Sequence, residues 1–238
     1  MGIKYSCFIS YPYPKLKPGL KAVRTFIREL KKSLEKYISM ESDEGNFYVD
    51  FEDKSLLHGD TLDITIGKAI CQSACMIIIY TGIYSRHPRA YALRELLAME
   101  RIEEKRKHVL GQDLDRKKGM IIPIVLKLSP GTDGRINEDE IPKRIRDRIE
   151  KLEYNDFSSF YPGYIHISRV ASRQYNNLIK KIALRIANHY SNLKRLEIEG
   201  GLNEDCTSFL LPSEDEATKY YSIFWGDSHP ASRPFFSR

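Results

Sequence analysis

Tyr91 and Glu95 stand four residues apart, a spacing that stacks two side chains on one face if the segment is helical. An aromatic ring beside a carboxylate, near a cleft at strand ends, suits two tasks: holding a ribose or stabilising a developing cation. A solvated helix face is the plainer reading. Other groups with chemical potential follow predicted strands. They are Ser10 and Tyr11 after the first, residues 53–60 (with Asp53 and Lys54) after the second, and residues 81–91 after the third. Ser10 and Tyr11 are either substrate contacts or ordinary strand-end residues; Asp53 and Lys54 are either contacts or loop charges. The six histidines and four cysteines lack zinc-ligand spacing. The glycines form neither a GxGxxG nor a P-loop, so Rossmann-type dinucleotide binding is not indicated. No metal and no cofactor is expected.

The elements that must position these groups are legible as periodicities. Residues 4–11 (KYSCFISY), 47–51 (FYVDF), 74–81 (ACMIIIYT), 119–128 (GMIIPIVLKL) and 164–168 (YIHIS) read as strands. The third is continuously apolar, as a strand buried on both faces must be. Pro123 marks a kink or an edge in the fourth. Helical spacing runs through 18–39, from about 62 to 70 after a cap at Asp60 or Thr61, through 90–107, through Ile141, Ile145, Ile149 and Leu152, and through 172–195. Strand and helix alternate five times, which predicts an α/β three-layer sandwich of flavodoxin-like type: a five-stranded parallel sheet with helices on both faces. Residues 196–238 break the pattern. They carry Gly200 and Gly201, the acidic run 214–216, and an aromatic cluster from Tyr220 to Phe236. The reading is a domain over 1–195 and an aromatic-rich extension over 196–238, which packs on its own domain or meets a partner.

Composition narrows the class. With 42% hydrophobic and 29% charged residues, whole-chain disorder, collagen and a disulfide-dense miniprotein are excluded. No apolar run reaches the roughly 18–20 residues of a spanning helix, and the start of the chain lacks a signal-peptide layout. All four cysteines, Cys71 and Cys75 included, read as buried small hydrophobes, which fits a reducing compartment. The expectation is a soluble cytoplasmic protein with no membrane contact. The net charge of +6 admits anionic partners without naming one. Basic runs such as EEKRKH and KRIRDR read as solvated helix faces, and no stacking motif accompanies them, so nucleic-acid binding is not indicated.

Taken together, FISY, FEDKSLLHGDTL and YALREL resemble a TIR (Toll/interleukin-1 receptor) domain. Leu56, Gly59, Asp60 and Leu62 look like the BB loop of bacterial TIR proteins. The run from Ile66 into ACMIIIYT is similar to that family's second helix and third strand, and residues 91–96 align with its Trp-x-x-x-Glu-Leu element. The resemblance covers roughly 4–195. Three departures stand out: Tyr91 in place of Trp with Ala92 after it, a longer stretch before Tyr91, and His58 in place of Pro.

The resemblance implies cleavage of NAD+ between nicotinamide and ribose, with NAD+ as substrate rather than cofactor. Glu95 is then the catalytic carboxylate, and Ser10, Tyr11, Asp53, Lys54 and Tyr91 the substrate contacts. It further implies self-association through TIR surfaces and a linear or cyclic ADP-ribose-derived messenger for a separate effector in antiphage defence. The alternative is a non-catalytic TIR–TIR scaffold, in which Glu95 is a surface residue.

Overall fold

Continuous apolar runs form the middle of the sheet. In a computed structural model that describes residues 2–11, 17–39, 46–53, 62–80, 91–110, 119–126, 155–157 and 169–222, β3 (Ser73–Tyr80) is buried along its whole length. It lies between β1 (Tyr5–Ser10) and β4 (Ile121–Val125), with β2 (Phe47–Tyr48) and β5 (Asn155–Asp156) outside them. The order is β2-β1-β3-β4-β5, and every neighbouring pair is parallel. This is the expected five-stranded parallel α/β sandwich. Its chain order reverses between β1 and β3, the switch point beside which such sheets bind ligands.

Helix α1 (Lys17–Ile38) buries Val23, Phe26, Ile27, Leu30, Leu34 and Ile38 along one stripe and packs on α4 (Arg169–Ile198). Helix α2 (Leu62–Cys71) packs on α3 (Tyr91–Leu110), and both pairs lie against β1 and β3. Pro123 sits inside β4 without breaking it. Met120 accepts from the Met76 amide and Leu126 donates to the Tyr80 carbonyl, so even-numbered positions face β3. The missing amide of Pro123 therefore faces the β5 side, where the ladder starts only at Ile124. Below that start, Arg185 donates to the carbonyls of Gly119 and Ile121.

Several expectations need correction. The second strand covers 47–48 rather than 47–51, because the chain coils into a 3-10 turn, Asp50–Glu52. There Asp50 Oδ1 accepts from the Phe51 amide at 2.6 Å, a local bond that competes with strand pairing. The described fifth strand is Asn155–Asp156, pairing with Ile124 and Val125. The expected strand at 164–168, the helix through 141–152 and the KRIRDR run fall outside the described residues. EEKRKH is not a uniformly solvated face, since Glu103 and Arg106 are buried between exposed neighbours.

The cysteines are buried as expected, but two of them are bonded to each other. Cys71 and Cys206 form a disulfide across 135 residues, whereas Cys7 and Cys75 are free. Disulfides persist in oxidising surroundings, so a reducing compartment no longer follows from the cysteines. Alkylation of unfolded, unreduced protein is expected to label two of the four cysteines, and all four after reduction. Four labels without reductant would contradict the bond.

Past the proposed boundary at 195, α4 runs on to Ile198 and ends in a Schellman motif. Gly201 donates to the Leu196 carbonyl and Gly200 to that of Glu197, with Gly200 at φ 73°, where a side chain would be strained. The segment after it lies on the domain rather than apart from it. It is tied to α2 by the disulfide and leads into α5 (Glu214–Ser222), which packs on α3. Ser213 and Glu216 exchange side-chain bonds with each other's amides, a capping box that gives the last residue of the acidic run its role. The Tyr220 hydroxyl donates to Glu100, while Phe224, Trp225, Phe235 and Phe236 lie outside the described residues. No helix among the described residues is long and apolar enough to cross a membrane.

Candidate functional site

At the carboxyl end of β1, beside the switch point, the chain brings together two residues 85 positions apart. The Ser10 hydroxyl donates to Glu95 Oε2 at 2.6 Å. Ser10 is the last residue of β1, and Glu95 lies on the second turn of α3, the helix that follows β3. Parallel pairing of β1 with β3 is what delivers the start of α3 to the end of β1. Both residues are buried, Glu95 at 5% exposure.

Burying a carboxyl penalises its charged form. Glu95 is accordingly pushed up to about 8 from an ordinary 4.5, first by burial and then by the negative charge of Asp50; the Ser10 hydroxyl and Arg94 pull the other way. At neutral pH the resting group is mainly the neutral acid. A cation placed against it would favour the carboxylate.

The remaining expected residues that are described have partners other than this pair. Tyr11 is buried, with its ring edge-on to Phe51 at 5.6 Å. Asp53 accepts from the Tyr48 hydroxyl at 2.9 Å, and burial holds that phenol well above its usual range, so it serves as a donor. Tyr91, at the first position of α3, presents its ring to the Arg94 guanidinium, 5.0 Å from the centroid. Lys54, like the BB-like residues Leu56, His58, Gly59 and Asp60, lies outside the described residues.

Three contributors escaped the sequence reading. Asp50 sits within what read as a strand, yet its charge acts on Glu95. Phe51, in the 3-10 turn, joins Tyr11 to the basic face of α1, with Arg24 and Arg28 each 5.2 Å from its ring. Arg94, next to Glu95, drew no reading of its own from the sequence, yet it is buried. The clustering of carboxylates over 50–53 was the available signal.

Elsewhere, Cys71, Cys206 and Glu204 gather closely enough to suggest metal ligands. The two sulfurs are bonded to each other, and Arg106 holds both oxygens of Glu204, so a cation already stands where an ion would. The geometry at Ser10 and Glu95 is instead that of a buried carboxyl at a sheet end. No protein-family model matches the chain, and no curated protein matches it.

Proposed function

We propose that this chain cleaves NAD+ at the bond between nicotinamide and ribose, as a TIR-type glycohydrolase or cyclase. In that role it releases nicotinamide and an ADP-ribose-derived messenger, linear or cyclic, that acts on a separate effector in antiphage defence. The observation that carries the reading is the buried Glu95, hydrogen-bonded to Ser10 at the β1 end. A scaffold with Glu95 as a surface residue fits that burial less well.

The chemistry asks little of the protein. Nicotinamide leaves a cationic pyridinium as a neutral molecule, keeping the bonding electron pair on its ring nitrogen, so no general acid is required. Positive charge moves to the anomeric carbon, the oxocarbenium-like charge that glycosidases also meet with carboxylates. Glu95 supplies the opposing charge from a buried position, where such stabilisation is strongest. Water attacking the anomeric carbon, and losing a proton, gives ADP-ribose; an adenine nitrogen of the same molecule gives the cyclic product. Arrival of the pyridinium favours the carboxylate and the Glu95 proton passes to solvent, so the substrate's charge prepares its own catalyst.

The test follows nicotinamide by chromatography across a series of protein concentrations and pH values, with and without phage lysate. Because kcat/KM reports the free enzyme, it is expected to rise about tenfold per pH unit and level off near 8, where Glu95 ionises. The rise in kcat is expected at lower pH, since bound cation favours the carboxylate. No nicotinamide under any of these conditions, or a rate that falls across this range, would overturn the reading.

A further inference from the structure

The segment 201–213 runs along α3 from one end to the other. Near its start, Glu204 is bound by Arg106, and Cys206 is bonded to Cys71 of α2. It then crosses α2 at Gly67, where a Cβ would stand 2.7 Å from the Phe209 carbonyl oxygen and 2.8 Å from the Leu211 nitrogen. Only glycine admits so close a backbone. Leu211 donates to the Asp63 carbonyl, and Pro212 accepts from Arg94 Nε. Beyond it, α5 turns back over α3, with Glu216 on Arg101 and Tyr220 on Glu100.

Arg94 is where this segment meets the candidate site. Its guanidinium is held by the Pro212 carbonyl on one side, by Asp63 Oδ2 on another, and lies over the Tyr91 ring. It is 8% exposed and adjoins Glu95 in the chain. We propose that residues 201–213 form a positioning strap for the start of α3, and that Arg94 is the positioning residue through which the strap sets the state of Glu95. The strap thereby fixes the turn of α3 from which Glu95 meets Ser10 of β1, one residue along the chain from the Arg94 charge and within the field of the negative Asp50 of the 3-10 turn. A loosened strap lets that charge swing out toward water and leaves Glu95 opposite Asp50. The inference rests on the NAD+ reading for its functional meaning, but its geometry does not.

The test is a carboxyl-carbon NMR titration of Glu95 in the full chain, with kcat/KM for NAD+ measured across pH alongside it. Arg94→Gln is expected to move the Glu95 midpoint up by about half to one pH unit, which lowers kcat/KM roughly three- to tenfold at neutral pH. The loss should fade above the new midpoint. Arg94→Lys, which keeps the charge, is expected to restore most of the shift. Gly67→Ala displaces the strap without altering any charge and is expected to move the midpoint in the same direction as Arg94→Gln. Where that variant does not fold, Cys206→Ser, which frees the start of the strap, takes its place. A midpoint unmoved in Arg94→Gln overturns the proposal, and so does a rate loss equal at every pH. If the wild type releases no nicotinamide, the NAD+ reading falls while the titration still decides the strap.

Discussion

Replacing Glu95 with Gln is expected to lower nicotinamide release from NAD+ at least ~100-fold, the cost of removing one group aimed at developing charge in a buried site. The amide keeps the shape and the hydrogen bond with Ser10 but cannot become an anion. The same substitution is expected to make the fold more tolerant of alkali. Glu95 ionises near 8 in the folded chain and near 4.5 when free of its surroundings. The native state therefore holds a proton that the unfolded state has lost, and stability falls as pH rises from 4.5 toward 8. The slope approaches ~1.4 kcal/mol per pH unit within that window, and Glu95→Gln removes it. Denaturant unfolding at pH 5, 7 and 9, run beside the nicotinamide assay, checks both signs. Turnover that persists in the variant would sink the assignment of Glu95, and parallel pH slopes for the two proteins would show that its carboxyl is not the buried acid described. A residue that lowers stability near its working pH while raising rate is one placed for chemistry rather than for packing.

The legible part of this molecule was the part governed by local pattern. ACMIIIYT could only be a strand covered on both faces, and the stripe from Val23 to Ile38 could only bury one side of a helix. Once the sheet was parallel, groups at the end of β1 and the start of α3 had to converge, so Ser10 and Glu95 were candidates before their contact was visible. Long-range pairings carried no such signal. Cysteine spacing does not encode connectivity, so nothing in the sequence tied Cys71 to a partner 135 residues away. The two-residue β5 contains Asn and Asp, poor strand formers, and exists because Val125 and Ile124 offer an edge to pair with. Charged positions were misread for the same reason. Glu103 and Arg106 stand in a run that read as a solvated face, yet both are buried, as is Arg94. For Arg94 and Arg106 the partners include residues of the far C-terminal segment. The capping box at Ser213 and Glu216 is the exception, a C-terminal signal written within four residues that periodicity alone passes over.

Arg106→Met is expected to destabilise the fold by ~3–5 kcal/mol, the usual cost of removing one partner from a buried ion pair. Arg106 is fully buried and spends its donors on four acceptors. Nη1 binds the Ser73 carbonyl, Nη2 the Cys71 carbonyl and Glu204 Oε2, all at 2.6 Å, and Nε binds Glu204 Oε1 at 2.9 Å. Methionine fills comparable space but leaves two carbonyls and a part-buried carboxylate without their donor. The double variant Arg106→Met with Glu204→Gln is expected to recover part of the loss, because no uncompensated charge is then left behind. Urea unfolding of the two single variants and the double closes the cycle. A single-variant loss below ~1 kcal/mol would mean the pair behaves as an exposed one. Glu204 lies two residues before Cys206, so the ion pair and the disulfide anchor the same stretch of chain. The cost of Arg106→Met should therefore differ between oxidised and reduced protein, since either anchor restricts what the other holds. Equal costs in the two states would show that the ion pair and the disulfide act independently and that the start of the 201–213 segment is not one cooperative attachment.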